Sequence, residues 1–341
     1  MIPTTKTMAW LAGAALLIVA CGSSSDDAGA GGPAGGSTTP PPGENPPAAT
    51  PTTPPGTTPT TPGVPCSGKE ALSGDLDWKL TAAGKERVVH VHVPKGYDRA
   101  KATPVVLNFH GLGSNADQQI LLSGMNDKAD QATFVAVHPE GTGVSQSWNA
   151  GACCGTAASD AIDDVGFVSK IIDELQSKLC VDARRVFATG MSNGAFLSHR
   201  LACELSNRVA AVAPVAGVLG IPTCNPTRPM SVFQFHGTLD GLVPYDGNPT
   251  MGFPSVMQTL SSWAGRSGCS TTPRETSKKG EVTCVTFDGC KGGAEVNLCT
   301  ATGGGHTWPG GVPVPSLGHT TTDINATDTM WDFFVKHPLP Q

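Results

Sequence analysis

Charge is scarce in this chain of 341 residues: Asp, Glu, Lys and Arg make up 15% of it and leave a net −6. Aromatic residues are scarcer still, at 6%, and they are not interleaved with Arg or Lys. Without a basic stripe or aromatic platforms among cations, no nucleic-acid partner is expected. The apolar run at 8–20 falls short of the ~20 residues that a membrane-spanning helix needs. Paired Cys-x-x-Cys units of zinc-site spacing are missing, so no metal is expected. There is no internal repeat and no second linker, which leaves one large domain as the simplest organisation.

What is present divides near Pro65. Lys6 followed by the apolar run at 8–20 and small residues reads as an export signal. Its end, Ile18-Val19-Ala20-Cys21, resembles a bacterial lipobox, in which the cysteine becomes the lipidated first residue of the mature protein. Gly22, where a retention signal would place Asp, points to an outer-membrane or cell-surface lipoprotein, with release to the medium as an alternative. Residues 21–65 are almost all Gly, Ser, Thr, Pro and Ala and carry too little apolar surface to offset the entropy of ordering. They read as a disordered tether, stiffened where prolines concentrate. Setting Cys21 aside leaves ten of the eleven cysteines, an even number that in an oxidising compartment allows up to five bridges.

From 66 to 341, short apolar runs alternate with helical patterns. Strands are expected at 87–93, 104–109, 133–137, 185–188, 209–214, 231–235, 281–287 and 295–300. Helices are expected at 118–127, 165–179, 195–205, 254–264 and 326–335. This alternation argues for an α/β domain with a mostly parallel sheet, helices on both faces and a disulfide-stapled end at 269–299.

Gly190-Met191-Ser192-Asn193-Gly194 stands between a strand signal and a helix signal, the setting in which a serine is held exposed on a sharp turn. A serine hydroxyl is a weak nucleophile and needs a base braced by a third group. Asp240, in His236-Gly237-Thr238-Leu239-Asp240, and His306, in a glycine-rich loop at 303–310, follow in the order serine, acid, histidine, each after a strand. Asp246 is a competing acid; His236 is read as shaping its turn, His90 and His92 as strand residues, and Asp163 and Asp164 as helix caps. The turn His110-Gly111-Leu112-Gly113 follows another strand, so the backbone N–H groups of Leu112 and Asn193 are candidates for an oxyanion hole. Trp148 and Trp308 flank these segments and are candidates for a substrate wall.

Six ordered motifs carry a family resemblance: His110-Gly111-Leu112, Trp148 with Cys153-Cys154-Gly155, Asp163-Asp164-Val165-Gly166-Phe167, the serine motif, the 236–240 motif and Gly305-His306-Thr307-Trp308-Pro309-Gly310. Across about 66–337 they resemble the extracellular polyhydroxybutyrate depolymerase and feruloyl esterase family. The resemblance implies an α/β-hydrolase fold and cofactor-free cleavage of carboxylic esters by Ser192, Asp240 and His306. The substrate it implies is a plant cell-wall hydroxycinnamate ester or a hydroxyalkanoate polymer or oligomer. Some polymer depolymerases have cysteine where this chain has Leu112, and many carry an additional binding domain for which 66–341 leaves no length. Both features turn the reading toward a smaller ester. A serine peptidase of the same fold and a catalytically silent glycan-binding surface lipoprotein are the alternatives. Cys153 and Cys154 are compatible with two separate bridges or one vicinal ring.

Overall fold

The computed structural model describes residues 66–341. The expected signal at 1–20, the lipid site Cys21 and the tether to residue 65 lie outside the described residues. Ten strands form one sheet: β1 (Gly74–Ala82), β2 (Lys85–Val93), β3 (Thr103–Phe109), β4 (Val135–Pro139), β5 (Val181–Met191), β6 (Ala211–Val215), β7 (Ser231–Gly237), β8 (Arg274–Lys279), β9 (Val282–Phe287) and β10 (Val296–Ala301). The helices are α1 (Ala116–Ser123), α2 (Met125–Ala132), α3 (Thr156–Ser159), α4 (Asp164–Lys178), α5 (Asn193–Glu204), α6 (Val256–Ser267) and α7 (Ala326–Phe334).

The strand order is β1-β2-β4-β3-β5-β6-β7-β10-β9-β8. From β4 to β10 the neighbours run parallel, and both edges are antiparallel. β3, β4, β6 and β7 are buried at every position; β6 is wholly apolar or small, whereas Asn108, His138, Gln234 and His236 interrupt the apolar runs of the others. Two cores result. Phe167, Ile171 and Leu175 of α4, Phe196 and Leu201 of α5 and Leu260 and Trp263 of α6 fill one face. Met125 of α2 and Met330, Phe333 and Phe334 of α7 fill the other. The α/β expectation with helices on both faces therefore holds.

All ten cysteines from Cys66 onward are paired: Cys66–Cys180, Cys153–Cys154, Cys203–Cys224, Cys269–Cys290 and Cys284–Cys299. The adjacent pair forms the vicinal ring; Cys284–Cys299 staples β9 to β10 and Cys269–Cys290 ties the end of α6 to the loop after β9, so the 269–299 stretch is stapled as the sequence suggested. Where Gly124 enters the left-handed region, at φ 62°, the expected helix at 118–127 breaks into α1 and α2.

Because parallel strands all end on one side, the segments following β3, β5, β7 and β10 share a single rim. The oxyanion-loop candidate, the serine, the acid and the histidine each belong to one of those segments.

Candidate active site

Ser192 caps α5 at the end of β5 with φ 56° and ψ −124°, a left-handed conformation that non-glycine residues seldom adopt. The neighbouring glycines make that turn possible. A Cβ on Gly190 would stand 2.6 Å from the Phe109 carbonyl oxygen, and one on Gly194 would overlap the Phe109 backbone outright. Two backbone hydrogen bonds, Ser192 N–H to Val215 O at 3.0 Å and Ala216 N–H to Phe235 O at 2.9 Å, tie the turn into the sheet. Gly111 packs directly on the serine, its Cβ position 3.3 Å from Ser192 Cβ and 3.9 Å from Oγ. Leu112 N–H and Asn193 N–H donate to no backbone or side-chain acceptor among the described residues. The Asn193 group is one of the orphan donors of a first helical turn.

Asp240 and His306 meet. Nδ1 of His306 lies 2.8 Å from Asp240 Oδ2; the carboxylate only accepts, so Nδ1 carries the proton and Nε2 keeps its lone pair. The other carboxylate oxygen accepts from Leu242 N–H at 2.9 Å and Val243 N–H at 2.8 Å. Burial pushes the Asp240 carboxyl upward, but the His236 and His306 hydrogen bonds outweigh it and hold the acid well below the usual carboxylate range. Thr238 N–H to Ala301 O at 2.9 Å, Leu239 N–H to Gly304 O at 2.8 Å and Gly303 N–H to Thr238 Oγ1 at 2.8 Å stitch the acid loop to the histidine loop. No hydrogen bond joins Ser192 Oγ to His306 Nε2 among the described residues; in unliganded hydrolases that contact commonly tightens only with substrate present.

A serine on a strained strand-to-helix turn, an oriented imidazole and unpaired backbone donors together suit acyl transfer. The phospholipase/carboxylesterase family matches residues 96–251. Feruloyl esterase B of Piromyces equi is 33% identical over 272 residues, 74% of this chain but 46% of that protein, so the chain spans about half its length. The putative esterase NocK of Nocardia uniformis subsp. tsuyamanensis is 30% identical over 285 residues, 75% of this chain and 81% of that protein. The chain belongs to the α/β-hydrolase esterases. Among solved structures, the acetyl xylan esterase from Aspergillus awamori superposes with a TM-score of 0.55 at 17% identity, covering 76% of this chain and 99% of that one, a likeness of fold.

In this α/β-hydrolase the supports of the site are built from residues that local patterns undervalue. Asn193 contributes more than its main chain. Its buried Oδ1 accepts from Trp148 N–H at 2.7 Å, and Nδ2 donates to the carbonyls of Trp148 at 3.1 Å and Cys153 at 3.0 Å. The residue after the serine thus clamps the 148–153 loop, vicinal bridge included. His110, also buried, bonds through Nδ1 to Gly111 O at 2.7 Å and accepts Gly141 N–H at Nε2 at 3.0 Å; burial lowers its pKa, so the neutral ring suits both contacts.

The two tryptophans are corrections. Neither indole reaches a surface that substrate could touch, since both are fully buried. Trp148 packs edge-on to Phe109 at 5.3 Å and donates from Nε1 to His110 O at 2.9 Å, supporting the loop beside Ser192 from within. Trp308 lies in the second core and donates to Thr327 Oγ1 at 3.0 Å. A flat apolar ring with one donor fits a core position with one acceptor better than a wet wall.

Asp163 does cap α4, accepting Gly166 N–H at 2.8 Å, whereas Asp164 does not. Asp164 is buried and pairs with Arg87 of β2 at 2.6 Å while its other oxygen accepts Asn149 N–H at 2.7 Å. The Arg87 guanidinium lies 3.7 Å from the centre of the Phe167 ring. Asp246 is exposed and makes no contact with His306. His90 and His92 are strand residues, each between two carboxylates at the β1–β2 edge.

Proposed function

We propose that this protein hydrolyses carboxylic esters by two-step acyl transfer with Ser192 as nucleophile, His306 as base and acid, and Asp240 as its brace. The observation that carries the reading is the 2.8 Å Asp240–His306 bond, which fixes the imidazole with Nε2 free, on the same rim as a serine held at φ 56°. His306 Nε2 takes the Ser192 proton as Oγ attacks the ester carbonyl, and the imidazolium is stabilised by the Asp240 carboxylate. The backbone N–H groups of Leu112 and Asn193 receive the oxyanion, in a position preset by the packing of Gly111 on Ser192. His306 returns the proton to the leaving alkoxide, the acyl-enzyme remains, and a water repeats the sequence to free the acid.

The substrate class we infer is a plant cell-wall hydroxycinnamate ester, a reading supported by the relatives named feruloyl esterase. The chain is exported, and Cys21 carries a lipid that holds the catalytic domain on a membrane surface through the tether at 21–65.

Ser192→Ala should lower kcat by about 10⁴-fold or more with thermal stability nearly unchanged. Fluorophosphonate labelling should mark wild type and not the variant. A variant keeping more than about a tenth of wild-type turnover would remove Ser192 from the reaction. Methyl ferulate, acetylated xylan and short hydroxybutyrate oligomers, assayed side by side, rank the esters; preference for the oligomers would replace the cell-wall reading.

A further inference from the structure

Behind the acid loop, a set of buried polar side chains takes no part in the chemistry above. Gln234 and His236 stand two residues apart on one face of β7, where His199 of α5 and Trp263 of α6 meet them. All four are buried. Burying so much polar surface is costly unless every group finds a partner, and an apolar core would be cheaper.

Each bond in this set has one possible direction. Val243 O only accepts, so His236 Nε2, 2.8 Å away, carries that ring's proton. Gly217 O fixes the Gln234 amide: its Nε2 donates there at 2.9 Å and turns its second hydrogen toward His236 Nδ1 at 3.3 Å. An indole only donates, so Trp263 Nε1 gives its hydrogen to His199 Nδ1 at 3.0 Å. Burial lowers the His199 pKa to about 3 against an opposing contact from Gln234, so the ring is neutral with its one proton on Nε2. His199 Nε2 and Gln234 Oε1 have no hydrogen-bond partner among the described residues, so the Trp263–His199 pair packs beside Gln234 without a bond to it.

From Gln234 onward the bonds lead toward the catalytic acid: the amide donates to His236, and His236 donates into the acid loop. His236 Nε2 lies 3.4 Å from Asp240 Oδ2, the oxygen that His306 Nδ1 holds at 2.8 Å. The Gln234 amide also reaches the nucleophile turn, because Gly217 packs with its Cβ position 2.9 Å from Ser192 O. We propose that Gln234, its amide fixed by Gly217 O, locks His236 in its Nε2–H form and that the two residues thereby fix the acid loop and the Asp240 carboxylate beneath His306. They are positioning residues, and the inference rests on the triad reading of Ser192, Asp240 and His306. Without the Gln234 amide, His236 is free to carry its proton on Nδ1. Its Nε2 lone pair would then face both Val243 O and Asp240, and repulsion would loosen the loop.

The test is direct. Nitrogen-15 NMR of the purified protein should report His236 wholly as the Nε2–H tautomer in wild type and as a mixture in Gln234→Leu. The variant should lose about ten- to a hundredfold in kcat, with KM held within about twofold because substrate contacts are untouched. His236→Leu should show the same loss. His236→Gln, which brings an amide N–H close to the position of Nε2, should recover to within about threefold of wild type. A wild-type His236 carrying its proton on Nδ1 would overturn the proposal without any variant, and so would Gln234→Leu with wild-type kcat. Fluorophosphonate labelling of Ser192 separates the two readings: labelling with the wrong His236 tautomer removes the Gln234–His236 lock alone, and absence of labelling removes the triad.

Discussion

At the residue scale the site depends on a few positions whose backbone leaves no choice of side chain. Ser192 can sit at φ 56° only because Gly190 and Gly194 let β3 and the turn approach closely. Gly194→Ala would drive a methyl group into the Phe109 and His110 carbonyls, so β3 or α5 must shift. The expected cost is about 1–3 kcal/mol. It should appear as a lower urea midpoint together with lost fluorophosphonate labelling. The glycines were legible in the sequence because their pattern is local. The roles of the Asn193 side chain and of Trp148 were not, since they act on segments 45 and 38 positions away, joined by hydrogen bonds that no spacing rule encodes. Trp308 shows the same limit from the other side: adjacency to His306 in sequence suggested a wall, while the backbone turns the indole into the core.

At the element scale the chain reads well wherever burial imposes a period. The helices at α4, α5, α6 and α7 fall within two or three residues of their expected bounds; α4, α6 and α7 each bury one apolar stripe, while α5 is buried almost all round. The edge strands β1 and β8 were missed. β8 is exposed along its whole length and carries Arg274, Glu275, Lys278 and Lys279, so only its pairing with β9 makes it a strand. Arg87 and Asp164 join β2 to α4 and, through Asn149, to the clamped loop. Removing one member of a buried ion pair strands the other. Asp164→Ala should therefore lose about 3–5 kcal/mol in urea unfolding. Replacing both residues by apolar ones of similar volume should recover most of that loss, and a double variant as unstable as the single would refute the pairing as its cause.

At the scale of the whole molecule, ten strands with two cores fix where acid will act. His138 and His199 are fully buried, and desolvation lowers the pKa of each to about 3. In the unfolded chain an imidazole titrates near ~6.5. Between that value and about 3 the unfolded state binds protons that the native fold refuses, so stability falls as pH falls through this window. Each ring contributes a slope of up to about 1.4 kcal/mol per pH unit. Urea midpoints measured from pH 7 to pH 4 should decline accordingly, and His138→Gln should flatten the decline. A pH-independent midpoint in wild type would refute the burial argument.

The sequence by itself determined the α/β class, the even set of cysteines from Cys66 onward and the order of the serine, acid and histidine motifs. All of these are written in composition or in patterns a few residues long. Only the tertiary structure decided which cysteines pair, that Asp164 serves Arg87 rather than a helix end, that both tryptophans face inward, and that Gln234 and His236 stand behind Asp240. Those outcomes depend on which strands lie side by side and which faces they bury. That choice is made by packing across the sheet, between residues far apart along the chain.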